Sequence, residues 1–204
     1  MRNDNKGFSL LELIITIAVM TVLVGLMATQ YLRYVEKAKK AVDMETADEI
    51  AHAYMMACAR HPEVYTYMED WRSSRYSNLH TTVTATVNGQ SESYRVALIV
   101  ASENTTFTGQ QREYLSGFYD TLNAELNLRS GNGANKSMKP KYQVTKSGPH
   151  SSGESHRSYS KVDRWRIVER LDNGAIEVWS ADGSKFGGWP QFRVWPTPDD
   201  EYTK

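Results

Sequence analysis

An apolar run extends from Phe8 to Ala28, and Glu12 is its only charged residue. About 20 apolar residues are enough to cross the hydrocarbon core of a membrane as a helix. Arg2 and Lys6 precede the run, so the short leader is expected to stay on the cytoplasmic side. A secretory signal peptide fits poorly, because the run is long and no small-residue cleavage site follows it. A plain single-pass anchor is the simpler alternative.

A helical pattern continues beyond this run to about Arg60, with no proline between Met1 and His61. The sequence therefore predicts one long helix from Ser9 to Arg60, whose second half is amphipathic. Its predicted apolar face contains Tyr31, Val35, Ala38 and Val42, and its predicted charged face contains Arg33, Glu36, Lys37 and Lys40.

The start of the apolar run carries a specific motif. Lys6, Gly7, Phe8, Ser9 and Glu12 match, position by position, the opening of bacterial type IV prepilins, and the chain here resembles these proteins and the related pseudopilins. The resemblance implies cleavage between Gly7 and Phe8 by a membrane aspartyl prepilin peptidase. It also implies methylation of the new amine on Phe8 by the same peptidase/methyltransferase.

Glu12 is the candidate assembly residue. A carboxylate inside a membrane-length helix is costly and needs a partner. In a filament core, the Glu12 carboxylate of one subunit is expected to pair with the Phe8 ammonium of its neighbour, which would also fix the subunit register. The alternative is a helix-end glutamate that reaches out to the lipid headgroups.

The resemblance also implies an α+β, pilin-like fold, in which one long N-terminal helix packs on a small antiparallel sheet with variable loops. We expect a cleaved leader at residues 1–7, a membrane or filament-core helix at 8–28, an amphipathic helix at 29–60 and a globular head at 61–204. The head is long enough for one compact domain.

Two hairpins are predicted in the head. Alternating residues at Thr82–Val87 and Tyr94–Ala101 flank Asn88-Gly89, a strong turn signal. A second pair of strands, Val162–Glu169 and Ala175–Ser180, flanks a turn at residues 172–174.

The rest of the head has weaker patterns. Residues 62–80 are interpreted as the connection between helix and sheet, and Gln110–Leu128 has a helical period. The polar segment 129–160 is predicted to be a long exposed loop or disordered insert, with a short strand at Lys141–Thr145. Asp199–Lys204 is predicted to be a frayed tail.

The chain has one cysteine, Cys58, so no intramolecular disulfide can hold the C-terminal strands. Buried aromatic side chains could serve instead, since each contributes several kcal/mol when it is removed from water. We call such a set of buried tryptophans, holding the C-terminal strands, the tryptophan clamp. Its candidate members are Trp165, Trp179, Trp189 and Trp195.

Composition argues against several functions. The 24 basic residues balance the 24 acidic ones, and no basic stripe stands out, so nucleic-acid binding is not indicated. No nucleophile elbow, phosphate-binding loop or paired metal motif occurs. We therefore predict no enzyme activity and no cofactor.

Two weak metal candidates are set aside. The glycine-rich loop after Asp182 resembles a calcium loop of major pseudopilins, but it offers one carboxylate where calcium prefers several. His52, Cys58 and His61 lack a convincing fourth ligand for zinc. We predict no metal site.

The leading hypothesis is therefore a structural subunit of a type IV pilus or pilus-like filament, assembled through its N-terminal helix. Its implied partners are prepilin peptidase, other pilin subunits, the pilus assembly platform and, before assembly, the cytoplasmic membrane. The close alternative is a pseudopilin of type II secretion or DNA uptake. An alternative of another class is a membrane-tethered binding or catalytic domain. The sequence does not distinguish a major from a minor subunit.

Overall fold

A computed structural model describes residues 9–103, 106–109, 114–128, 139–142, 162–182 and 190–203. The first helix, α1, spans Leu10–Arg60, which confirms the predicted long helix and its end. The chain divides into two compact units, residues 1–39 and 40–204, which are described separately below.

The second unit contains the C-terminal part of α1 and all the remaining elements. The other helices are α2 (Val64–Arg72), a 3₁₀ helix (Ser74–Leu79), α3 (Ser116–Glu125) and α4 (Asp200–Thr203). The strands are β1 (His80–Val87), β2 (Gln90–Glu103), β3 (Thr106–Thr108), β4 (Arg164–Arg170), β5 (Ile176–Ala181) and β6 (Pro190–Trp195).

These six described strands form one antiparallel sheet in the order β1-β2-β4-β5-β6, and β3 pairs with β2. The sheet curls, and α1 packs against it. This is the predicted α+β, pilin-like layout.

Both predicted hairpins are present. Val87 pairs with Gln90 across a two-residue turn. Asn88 and Gly89 have φ values of 52° and 78°, the positive pair that a tight turn between right-twisted strands requires. In the β4–β5 turn, Gly174 has a φ of 72°.

The main core lies between α1 and one face of the sheet. Buried residues of α1 recur every three or four positions, as expected for one helix face. Over residues 114–128, the predicted helical period is confirmed by buried leucines and Phe118, although α3 itself is shorter. Central members of this core are Ala47, Ile50, Tyr54, Leu115, Phe118, Leu122, Trp165 and Ile167.

The predicted stripe on the second half of α1 is wrong near residue 40. Val42 is exposed, whereas Lys40 and Asp43 are buried. The Lys40 ammonium lies 4.5 Å from the centre of the Tyr142 ring. The Asp43 carboxylate accepts the backbone N–H groups of Lys141 and Tyr142 at 2.6 and 2.8 Å. A cation–aromatic contact and two hydrogen bonds thus place charged residues on the inner face.

The segment that we interpreted as a connection, residues 62–80, instead forms α2 and the 3₁₀ helix. Val64, Met68 and Trp71 are buried at helical spacing, and this spacing was the missed signal. The short strand predicted at 141–145 is not formed at Lys141 and Tyr142, and its other residues lie outside the described ranges.

The predicted frayed tail is also wrong for residues 199–203. Asp199 accepts the backbone N–H of Thr86 at 2.8 Å. Asp200 accepts those of Asn88 and Gly89 at 2.7 and 2.8 Å. The tail is held because these carboxylates satisfy backbone donors at the β1–β2 turn.

A polar cluster is buried on the other face of the sheet. The Glu177 carboxylate accepts hydrogen bonds from Trp179 Nε1 at 2.8 Å and Arg193 Nη1 at 3.2 Å. The Tyr94 hydroxyl lies 2.9 and 2.8 Å from its two oxygens. The cluster is thus paired both in charge and in hydrogen bonds, as a buried ion pair must be.

The four candidate clamp tryptophans have different positions. Trp165 and Trp179 are fully buried, and Trp195 is partly buried against the main core. The Trp195 indole N–H donates to Asp48 of α1 at 3.1 Å. Trp189 and most of the predicted 129–160 loop lie outside the described residues.

Candidate functional site

The first unit presents an apolar helical surface. Every residue of α1 from Leu10 to Tyr34 is exposed within the structure. In the part of the chain that is described, α1 is the one helix long and apolar enough to cross a membrane. The large exposed side chains are Leu10, Leu11, Leu13, Ile14, Ile15, Ile17, Val19, Met20, Val22, Leu23, Val24, Leu26 and Met27. Such a continuous surface needs lipid or protein to cover it.

Glu12 lies in the first turn of α1, and it is exposed. A carboxylate at this position also suits the positive end of the helix dipole. Its side chain makes no hydrogen bond or ion pair with any of the described residues. Gly7 and Phe8, the predicted cleavage and methylation residues, lie outside those residues.

The two threonines of the apolar segment satisfy their own hydroxyl groups. Thr16 Oγ1 donates to the backbone carbonyl of Glu12, and Thr21 Oγ1 donates to that of Ile17 at 2.8 Å. Hydroxyls bonded in this way can enter an apolar medium without leaving a donor unpaired. Glu12 is thus the one group between Leu10 and Ala28 that carries an unneutralised charge.

Residues 2–28 match the family model described as the prokaryotic N-terminal methylation motif. This chain carries an N-terminal methylation motif. The motif is the class III signal of type IV pilins and pseudopilins, and it confirms the resemblance inferred from Lys6 to Glu12. The methylation motif overlaps the exposed apolar helix, so this helix is the candidate functional site. No curated protein and no solved structure matches the chain.

The three candidate zinc ligands, His52, Cys58 and His61, do not form a metal site. His52 lies 3.7 Å from Asp48 on the surface of α1. Cys58 is buried, which raises the pKa of its thiol to about 11, and the His61 ring bonds to Glu63 at 3.1 Å. Among the described residues, no three His, Cys, Asp or Glu side chains gather as ligands. The glycine loop after Asp182 lies outside them.

One polar site was missed by the sequence analysis. Arg72 Nε donates to Oε1 of the buried Glu169 at 2.8 Å, and Nη2 of the same guanidinium donates to the same oxygen. Glu169 is two residues from Ile167 and four from Trp165, so it falls on the core-facing side of β4. A charged residue at an inward position of a strand was the signal that could have indicated this site.

Proposed function

We propose that this chain is a structural, non-enzymatic subunit of a type IV pilus or pilus-like filament. The observation that carries the proposal is the methylation motif at the start of an exposed apolar helix. Prepilin peptidase would cleave between Gly7 and Phe8 and methylate the Phe8 amine. The subunit would then leave the membrane and join other pilin subunits through α1.

The proposed assembly mechanism rests on one charge in an apolar surface. A carboxylate moved into a filament core without a partner costs several kcal/mol. Cleavage creates an ammonium on Phe8, four residues before Glu12. A neighbouring subunit's Phe8 ammonium can neutralise Glu12 only at one axial offset, so pairing selects the register while the apolar side chains supply the burial energy.

The proposed topology follows from the same segment. The basic leader stays in the cytoplasm, α1 crosses the cytoplasmic membrane, and the unit formed by residues 40–204 lies outside. After extraction by the assembly platform, the subunit is displayed in a filament at the cell surface.

N-terminal peptide analysis and shearing of surface fibres test this proposal. We expect a mature chain that begins at methylated Phe8 and is recovered in sheared fibres. Replacing Gly7 with leucine should leave the leader attached, whereas Gly25→Leu, the matched control for cleavage alone, should still lose its leader, because Gly25 lies far beyond the scissile bond and a side chain there meets nothing within the chain. Processed protein that stays in the envelope would favour the secretion or uptake pseudopilin. A chain that begins at Met1 or after Ala28 would contradict both.

A further inference from the structure

A polar groove of about 390 Å³ lies in the second unit, between β3 and α3. On β3, Thr106 and Thr108 are two residues apart and share one face of the strand, whereas Phe107 between them is buried in the main core. On α3 and just beyond its end, polar side chains recur every three or four positions and thus share one helix face. These residues of the second wall are Ser116, Asp120, Asn123 and Asn127.

Asn123 fixes the distance between the two walls. Its Oδ1 accepts the backbone N–H of Phe107 at 2.7 Å, and its Nδ2 donates to the Phe107 carbonyl at 3.2 Å. Two hydrogen bonds to the same residue fix both the position and the orientation of α3 beside β3. The groove is therefore formed before any ligand arrives, which lowers the cost of binding.

The other polar side chains of the groove are open to a ligand. Ser116, Asp120 and Asn127 are exposed. Thr106 and Thr108 are partly buried. None of these five side chains makes a hydrogen bond or an ion pair with any residue that the structure describes. A ligand can therefore bond to them without breaking an existing contact or opening the fold.

The charge of the groove excludes several classes of ligand. Asp120 is the one charged residue among the described residues that line it, so an anion would be repelled and would find no cation. A calcium ion prefers several carboxylates, and no three His, Cys, Asp or Glu side chains gather among the described residues. An alkylammonium would pair with Asp120, but it has no acceptor for the Asn127 amide or the hydroxyl groups.

The hydrogen-bonding groups of the groove indicate a ligand with several hydroxyl groups. The Asp120 carboxylate only accepts, whereas the hydroxyl groups and the Asn127 amide both donate and accept. Two neighbouring hydroxyl groups of a sugar ring can donate to the two carboxylate oxygens, and its other oxygens can accept from the opposite wall. The volume also lies in the range of small-ligand sites, which is about 300–1,000 Å³.

We propose that this groove binds one hexopyranose ring of an uncharged sugar, with two neighbouring hydroxyl groups on Asp120 and others bonded to Asn127 and the threonines of β3. Two sources share this chemistry: a free monosaccharide, and the terminal residue of a glycan chain. The site is independent of the filament function and can be tested without assembly.

Methyl NMR of the full chain with ¹³C-labelled alanine methyl groups provides the test, in micelles of a detergent without a sugar headgroup. The probes are the methyl glycosides of glucose, galactose and mannose. At least one should shift the signal of Ala124, which lines the groove, with a millimolar dissociation constant, because each exposed hydrogen bond contributes little. Ala175, exposed in the β4–β5 turn, is the internal control. The matched control ligand, 2-methoxytetrahydropyran, has the same ring without hydroxyl groups.

Two variants test the polar contacts. Asp120→Ala should weaken binding of the sugar by at least about tenfold, because hydrogen bonds to a charged acceptor are lost. Asn127→Gly should weaken it by about twofold to fivefold, since one neutral hydrogen-bonding group is removed. Glycine is chosen because residue 127 has a φ of 53°. Glu69→Ala, at an exposed glutamate of α2 outside the groove, should bind as the wild type does. If Asp120→Ala fails to fold, the signal dispersion will show it, and Asn127→Gly decides.

The proposal is overturned if all three glycosides leave Ala124 unshifted, if 2-methoxytetrahydropyran shifts it equally, or if both groove variants bind like the wild type. A methyl disaccharide that ends in the same sugar distinguishes the two sources. Binding of the disaccharide with similar or higher affinity identifies the end of a glycan chain, and binding of the monosaccharide alone identifies a free sugar.

Discussion

The carboxylate of Asp200 accepts the backbone N–H of Asn88 at 2.7 Å, although 112 residues separate them in the chain. Its other oxygen accepts the N–H of Gly89 at 2.8 Å. The last helix, α4, therefore holds the β1–β2 turn in place. The C-terminal segment is thus part of the fold, although its sequence predicts a frayed tail.

Asp200→Ala should destabilise the second unit by about 2 kcal/mol, because two backbone donors lose their charged acceptor. For a unit of this size, that corresponds to a decrease in Tm of about 4–8 °C. Asp200→Asn should cost about half as much, since one acceptor oxygen is retained. Thermal unfolding monitored by circular dichroism is the measurement. Asp120→Ala, at an exposed aspartate of α3, is the control. Equal Tm values for the two alanine variants would show that Asp200 does not stabilise the β1–β2 turn.

The two buried tryptophans are expected to differ in a specific way. Trp179 Nε1 donates to Glu177, whereas Trp165 Nε1 is buried without a hydrogen-bond partner among the described residues. Each tryptophan replaced by alanine should cost about 3–5 kcal/mol. Trp179→Phe should lower the unfolding free energy by at least about 1 kcal/mol more than Trp165→Phe does. Only Trp179→Phe removes a hydrogen-bond donor from a buried carboxylate. Denaturant unfolding measures both, and a larger cost at Trp165 would contradict this explanation.

The parts of the fold that were predictable depend on local rules. Asn88-Gly89 specifies a hairpin because both residues tolerate positive φ. The absence of proline and the apolar period specify α1. Two of the errors involve charged residues with distant partners: Lys40 lies against Tyr142, and Asp200 binds the β1–β2 turn. No pattern within a short window shows that a charge will meet such a partner.

The N-terminal methylation motif was predictable for the opposite reason. One carboxylate in a membrane-length apolar run is visible in the sequence itself, and the run needs no tertiary contact to be recognised. The partner of Glu169 was not predicted, because only the packing of the second unit brings Arg72 of α2 to this residue of β4.

Asp43 should make stability depend on pH. Burial raises the pKa of this carboxyl from 3.8 to about 6, against the smaller opposite effect of the N–H groups of Lys141 and Tyr142. The fold thus binds this proton more tightly than the unfolded chain does. The resulting stabilisation is fully present below about pH 4 and is lost as pH rises through about 6.

The matched comparison is Asp43→Asn, which keeps one acceptor and cannot titrate. The unfolding free energy of the wild type, minus that of the variant, should rise by about 2.5 kcal/mol as pH falls from 7 to 4. Other titrating groups are common to both proteins and cancel in this difference. A difference that stays constant with pH, or that falls on acidification, would contradict the assigned cause.

Deletion of residues 1–28 should yield a soluble, monomeric protein. The exposed apolar side chains from Leu10 to Met27 are removed, whereas the core of residues 40–204 is left complete. Size-exclusion chromatography without detergent is the measurement, and the full chain in the same buffer is the control. High-order assembly of the shortened chain would show that the second unit, not α1, drives association.

We propose that Glu12 neutralises a neighbouring Phe8 ammonium inside the filament. Glu12→Val should still enter the membrane, since it removes the costly group, and its leader should still be cleaved. Glu12→Gln keeps the shape without the charge and should assemble equally poorly or at an intermediate level. Thr16→Val is the control, because the Thr16 hydroxyl bonds only within its own helix.

The most direct measurement is the ratio of protein in sheared fibres to protein retained in the membrane, with leader removal checked in each sample. We expect Glu12→Val to lower this ratio by at least about tenfold, because an ammonium would be buried without a counter-charge, and Thr16→Val to leave it unchanged. If processed Glu12→Val shows the wild-type ratio, Glu12 does not pair with Phe8 in the filament and is a glutamate that reaches the lipid headgroups.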